Sequence, residues 1–311
     1  MEFHHIPVLA EEVISQFQLE DGNVFVDGTL GGGNHAERLL NAFPGIRLVG
    51  IDQDEDALEA AQKKLAPYGD RVTFVRDNYR NLKSILERLG ISEIHGGLLD
   101  IGVSSYQLDE GGRGFSFHHD APLDMRMDRR NEKTARDVVN TYTKEELAEI
   151  FWKYGEENWG LRIAEFIVRE RKDKPIETTS DLVRVIKMAL PKRVRQDAHP
   201  GRKVFQAIRI EVNDELGALE EGLEDFVNAL APGGRLAVIT FHSLEDRIVK
   251  QTFRTMAQDC VCPKDFPVCV CGHVRKLRVL TSKPMTASRD ECKQNPRSRS
   301  AKLRVGERIA T

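Results

Sequence analysis

The chain has 311 residues, 40% apolar and 31% charged, which describes a globular protein with room for one large domain or two ordinary ones. No apolar run approaches the roughly 20 residues that span a bilayer, and the N-terminal "MEFHHIPVLAEEVISQF" carries acids where a secretory signal has a basic region, so a cytoplasmic protein is expected. The formal charge of −3 hides eleven Lys/Arg against three Asp/Glu from Gly272 to Thr311, and seven against Asp197 alone from Arg184 to Lys203, a pattern shared by a polyanion footprint and by ordinary solvated faces.

Four buried-strand patterns come first: "NVFVDG" (23–28), "IRLVGID" (46–52), "RVTFVRD" (71–77) and "GGLLDIG" (96–102). Helix-forming stretches separate them, as in βαβ units of a parallel sheet. Each ends at or near an Asp (Asp27, Asp52, Asp77, Asp100), along the edge where open α/β sheets bind ligands. From 110 to 134 the chain is Gly-rich, charged and aperiodic, and helical patterns without strands follow. Their apolar positions include Leu147, Ile150 and Phe151, then Ile163, Phe166 and Ile167, then Leu182, Ile186 and Leu190. Phe205, Ile208, Val212, Leu216, Leu219 and Leu223 predict one long helix. "APGG" reads as a turn before a fifth strand, "RLAVITFHS" (235–243), and "RKLRVLTSKPMTAS" and "SAKLRVGERI" as a closing pair at the sheet edge. The expected architecture is a discontinuous α/β domain, 1–108 and 214–311, interrupted by a helical domain at 109–213.

The stretch "VFVDGTLGGGNHAERLL" (24–40) is a strand, a glycine loop and a helix start. A nucleoside-triphosphate loop needs Lys-Ser or Lys-Thr after its glycines, and "NHAERLL" lacks it. Gly31, Gly33 and Ala36 fit the dinucleotide pattern, with Asp52 at the distance for a ribose. Yet Asp27 to Leu30 intervene before the matching glycine, and an acid at the strand tip repels a pyrophosphate. S-adenosylmethionine suits such a site better, since it presents an amine, a sulfonium and a ribose diol and no phosphate. In that reading Asp52 accepts from the ribose and Asp77 or Tyr79 edges the adenine. Asp100 ends its strand facing the methyl group.

"DGTLGGGNHA", "LLDIGVSSYQLD", "FQAIRIEVNDEL", "GGRLAVITFHSLEDRIVK" and "NPRSRSAKLRVGER" together resemble, along essentially the whole chain, the bacterial 16S rRNA (cytosine-N4) methyltransferase family RsmH (MraW). The resemblance implies a class I S-adenosylmethionine-dependent methyltransferase, Rossmann-like with a mostly parallel sheet, carrying an inserted all-helical domain for substrate recognition. It implies methyl transfer to N4 of a cytidine of 16S rRNA in the decoding centre of the small ribosomal subunit, by a monomer or homodimer. Carried over residue by residue, the cofactor site falls on Gly33, Asn34, His35, Asp52, Tyr79, Asp100 and Gln107. Asn34 stands where the family usually has Gly, Ala36 where it has Ser, and Tyr79 where it has Phe. Asn tolerates left-handed backbone, and Tyr keeps an aromatic face.

Cytosine N4 has a delocalised lone pair, so hydrogen-bond acceptors must turn it toward the methyl carbon. "DIGVSS" offers Ser104 and Ser105 as catalytic candidates, with a helix cap or turn as their other use. Phe115, Phe117, His118 and His119 are candidate stacking surfaces for a base drawn out of structured RNA, or packing within their own domain. The resemblance implies that the polar stripe Arg202, Gln206, Arg209 and Asn213 borders the active cleft, whereas its spacing alone reads as a solvated face, and His242 and Ser243 are candidates to face the substrate. Arg275 to Arg308 would grip phosphates. Cys260, Cys262, Cys269 and Cys271 have the composition of a metal site, but C-x-C is tighter than the usual zinc spacing. Partly buried reduced cysteines in a loop are expected and no metal is assigned. Other readings are a methyltransferase on another nucleic-acid or protein amino group, and a non-catalytic rRNA-binding assembly factor.

Overall fold

The computed structural model describes residues 7–104, 107, 111–194, 200–263 and 266–310, and divides into two units, 1–102 with 216–311, and 103–215. In the first, seven strands form one sheet: β1 (Val24–Asp27), β2 (Arg47–Asp52), β3 (Val72–Arg76), β4 (Ile94–Asp100), β5 (Leu230–Thr240), β6 (Leu277–Val279) and β7 (Lys302–Arg308). Their order is β3-β2-β1-β4-β5-β7-β6. The first five run parallel, and β7 is antiparallel to β5 and β6. This is the Rossmann-like, mostly parallel sheet that the sequence predicts.

Along β1 the side chains alternate between two cores. Phe25 packs with Leu39, Leu48 and Leu98 on one face; Val24 and Val26 pack with Ile51, Leu99 and Phe226 on the other, the period of two that a strand buried on both sides requires. Helices α1 (Ala10–Ser15), α2 (Asn34–Ala42), α3 (Glu55–Leu65) and α4 (Leu82–Leu89) belong to this unit. The chain order runs outward from β1 to β3 and then returns to place β4 on the other side of β1. Strand direction of growth therefore reverses between β1 and β4, the point where open α/β sheets hold their ligands.

The second unit carries α5 (Ala135–Thr141), α6 (Lys144–Lys153), α7 (Gly160–Glu170), α8 (Thr179–Ala189) and α9 (Arg202–Asn213). Reciprocal caps start two of them, Thr134 with Asp137 and Thr143 with Glu146. The periodic Leu147, Ile150, Phe151, Ile163, Ile167, Leu182 and Ile186 form its core, and Phe166 packs at its margin.

Two expectations change. The long apolar stripe is not one helix: Asp214 takes a left-handed conformation (φ 47°) and separates α9 from α10 (Glu215–Ala229), a backbone state that Asp tolerates better than most residues. "APGG" is not a separate turn but an irregularity inside β5, where pairing jumps from Ile94–Leu230 to Gly96–Arg235. After β5 come α11 (Ser243–Met256) and α12 (Arg289–Gln294). No described helix is long and apolar enough to cross a membrane.

Candidate active site

β1 delivers Asp27 to the switch point, and the chain must then turn in contact with β4. The Gly28 N–H donates to Leu98 O (2.9 Å), and a Cβ at Gly28 would lie 2.6 Å from Leu99 Cδ2 and 2.9 Å from Phe226 Cζ, so the close approach requires glycine. The loop is next hooked to β2 by Leu30 N–H donating to Ile51 O (2.9 Å). Gly33 then enters α2 as its N-cap at φ 79°. A side chain at Gly32 would meet no heavy atom within 4 Å: the crest of the loop is open backbone.

Acids surround this loop. Asp52 Oδ2 accepts from Gly31 N–H (2.7 Å) and its Oδ1 from Asp54 N–H (2.9 Å), and the Gln53 backbone also bonds the carboxylate, whose roughly four lone-pair sites exceed these three donors. Asp27 Oδ1 accepts from Thr29 N–H (3.1 Å), and the Asp100 N–H donates to Thr29 Oγ1 (2.6 Å). Thr29 thus joins the two strand ends at the switch point. Sequence reasoning passed over it, although Asp-x-Thr is a turn signal. Asp100 Oδ2 lies 3.5 Å from His35 Nε2. His35 Nε2 and Asp100 Oδ1 are shielded from solvent and have no hydrogen-bond partner among the described residues, a costly state for buried polar atoms unless a ligand supplies the partners.

Burial pushes the Asp27 carboxyl up from 3.8 to about 7, against the opposing charge of His35 and with Asp100 and Asp52 adding to the rise. Burial also raises Asp52 to about 6, although backbone N–H groups favour its charged form. Carboxylates so crowded accept hydroxyl and amine donors or a cation, and repel phosphate. These orphaned atoms and the open loop fit the amine, sulfonium and diol of S-adenosylmethionine.

The Asp27 shift has a definite sign for stability. A folded pKa above the unfolded one adds stability that is complete below about pH 4 and is lost as pH rises through about 7. Asp27→Asn removes this loss, so the stability of the variant relative to the parent rises by a few kcal/mol between pH 5 and pH 8. Urea melts of the ligand-free proteins across that range check this. A difference that does not change with pH would contradict the burial assigned to Asp27.

The remaining expected residues divide. Tyr79 opens a 3-10 turn after β3, and its ring rests on Gly222 of α10, where a Cβ would come within 2.5 Å of Cδ2. Asp77 is committed locally: it accepts from Asn78 N–H (2.8 Å) and Asn81 Nδ2 (2.7 Å) and pairs with Arg88 (2.9 Å). The Asn34 side chain accepts from Lys64 Nζ, so it is Asn34's backbone that adjoins the loop. Gly33, Asn34, His35, Asp52, Tyr79 and Asp100 all belong to the sheet unit. Ser104 and Gln107 belong to the helical unit and bind each other, Ser104 N–H to Gln107 Oε1 and Gln107 N–H to Ser104 Oγ (both 3.1 Å), the capping use of that serine. Ser105 lies outside the described residues.

Several candidate substrate contacts are engaged within the protein. Phe115 is buried and Phe117 meets Phe205 edge-on at 5.6 Å, because apolar rings in a charged loop gain most by joining the helical core; His118 and His119 stay exposed. Of the polar stripe on α9, Gln206 Nε2 donates to Tyr154 O (2.9 Å) and Arg209 forms a forked pair with Glu215 (2.7 and 2.9 Å). Asn213 is buried, accepting from Met127 N–H and donating to Met125 O (both 2.8 Å). His242 caps α11 and lies 2.8 Å from the fully buried Glu245. In the basic tail Lys302 and Arg304 are paired with Asp246 and Arg278 with Glu307, and Arg275, Lys283, Arg289 and Arg299 are exposed.

The sequence model of the MraW methylase family matches residues 2–309. Ribosomal RNA small subunit methyltransferase H of Symbiobacterium thermophilum is 57% identical over 307 residues, covering 98% of this chain and 96% of that protein. The protein of the same description from Carboxydothermus hydrogenoformans is 54% identical over 310 residues, covering 100% and 99%. Among solved structures, a putative rRNA-methylase from Clostridium thermocellum aligns at a TM-score of 0.47 with 13% identity, over 98% of this chain and 100% of that one, a likeness from which nothing about function follows. On a match spanning nearly its whole length and relatives above half identity, this chain belongs to the MraW methylase family.

Proposed function

We propose that the protein transfers a methyl group from S-adenosylmethionine to the exocyclic N4 of one cytidine of 16S rRNA, in the decoding centre of the small ribosomal subunit, in the cytoplasm. The observation that carries the cofactor is the acid-lined glycine loop at the switch point, with His35 Nε2 and Asp100 Oδ1 shielded from solvent and without a hydrogen-bond partner among the described residues. The rRNA substrate rests on the relatives, described as ribosomal RNA small subunit methyltransferases.

When bound, S-adenosylmethionine supplies an electrophilic methyl group on a sulfonium. The open backbone of Gly31 to Gly33 and the start of α2 at Asn34 would hold its methionine part. Asp52 would accept from the ribose hydroxyls with the acceptor capacity its backbone donors leave, and Tyr79 would border the adenine. Asp100, its backbone tied to Thr29 and its carboxylate beside His35, would hold the cationic end, and the family resemblance assigns Gln107 to the same ligand. Ser104 and Ser105 are the candidate acceptors that would turn the amino lone pair of the target toward the methyl carbon, a contribution of position and electrostatics. The helical domain, 109–213, recognises the RNA, and the exposed cations of the tail bind its phosphates, which makes binding fall steeply with salt.

Small subunits lacking this modification, incubated with the protein and labelled S-adenosylmethionine, are expected to take up label, and subunits already modified are not. Binding of S-adenosylmethionine without label transfer to any small-subunit particle would keep the cofactor site and overturn the substrate, leaving an assembly factor.

A further inference from the structure

Between α11 and β6 the described residues of the 257–276 segment form neither helix nor strand, and Val261, Phe266, Val268, Val270 and Val274 are exposed. No apolar core gathers this stretch. Even so, the ligand atoms of Cys260, Cys262, Cys269 and Cys271 all lie within 4.8 Å of one another. Cys260 Sγ is 3.5 Å from Cys269 Sγ and 3.8 Å from Cys271 Sγ, and the last two are 3.5 Å apart. None of the four is in a disulfide. Zinc–thiolate bonds of about 2.3 Å in a tetrahedron set sulfur–sulfur edges of about 3.8 Å, close to these spacings. Backbone amides already point at two sulfurs, Cys262 N–H at Cys260 Sγ and Val270 N–H at Cys262 Sγ (both 3.4 Å), the outer-shell donors that orient ligating sulfurs at a metal site.

We propose that Cys260, Cys262, Cys269 and Cys271 form a four-thiolate structural zinc site that holds the loop between α11 and β6. The tight C-x-C spacing, which argued against a metal in the sequence, is no obstacle once two such pairs face each other across the loop. An all-sulfur donor set selects a soft cation over calcium or magnesium. His273 does not complete a mixed set, since its Nε2 lies 3.0 Å from Thr255 O. Cys292 stands apart, its sulfur 3.8 Å from the Ser298 hydroxyl. Binding converts the four thiols to thiolates and releases their protons, so occupancy falls on acidification. The metal then stands in for the core that this segment lacks.

Metal analysis of the untagged full-length chain is expected to find about one zinc ion per molecule. C262S/C269S lowers this roughly tenfold or more, and C292S leaves it unchanged. Cobalt(II) added to the metal-stripped parent protein gives the intense visible bands of a tetrahedral ion and a sulfur-to-cobalt charge-transfer band, a readout that holds even where the double variant folds poorly. Chelation speeds protease cleavage within 257–276 and leaves the rest of the chain intact. Metal-free protein with four freely reactive thiols, cysteines paired as disulfides, or cobalt spectra without charge transfer would each overturn the site.

Discussion

Replacing Asp100 with Asn lowers methyl transfer by roughly 10²- to 10³-fold, the scale of losing one electrostatic contact aimed at the reacting centre, and leaves the fold intact. The structure separates the two effects. The Asp100 backbone N–H, not its carboxylate, makes the bond to Thr29, so the joint between β1 and β4 survives the substitution. The side chain contributes a buried oxygen without a protein partner and a second oxygen 3.5 Å from His35, neither of which secures the core. Asn keeps the shape and loses the charge. It also removes one of the charges that raise Asp27, so Asp27 titrates lower in the variant. A melting midpoint no lower than the parent's with a collapsed turnover number is the expected result; a variant as active as its parent would remove Asp100 from the chemistry.

Phe226→Ala is expected to cost about 3–5 kcal/mol, as for a large aromatic deleted from a well-packed core. Phe226 is fully buried on α10, against β1 and β4. Cβ atoms added at Gly97 and Gly28 would lie 2.7 and 2.9 Å from its ring, so two glycines form the floor on which the ring lies and little is available to close the cavity. The loss compares with a total stability of about 5–15 kcal/mol for a typical domain. Because Gly28 begins the cofactor loop, the weakening also reaches the site. Urea unfolding should move to lower denaturant and S-adenosylmethionine should recover part of the loss by binding the folded form. An unchanged midpoint would mean that the ring contributes no packing at the loop's base.

Strands whose apolar residues run continuously to a terminal Asp announced the parallel sheet, and the glycine loop followed by Asp52 announced its ligand edge, because both signals are local. What escaped depends on neighbours distant in sequence or on a single backbone angle. The apolar period runs unbroken from Phe205 to Leu223 while Asp214 turns left-handed between two helices, and Asp inside a helix has an ordinary propensity. Thr29 looked like a spacer, yet it is the residue bonded to Asp100. Arg209 and Asn213 lie on a polar face that resembles a binding surface; the structure commits them to Glu215 and to the backbone of Met125 and Met127. The four cysteines were visible as a composition, but their convergence depends on a loop path that spacing rules do not encode.

The most direct test is the identity of the nucleoside made. Unmodified small subunits are treated with the protein and S-adenosylmethionine, the 16S rRNA is digested, and the products are resolved by mass spectrometry. N4-methylcytidine at a single position, absent with Asp100→Asn, is the predicted result; methyl groups found on adenine, on cytosine carbon or on a ribosomal protein would contradict it.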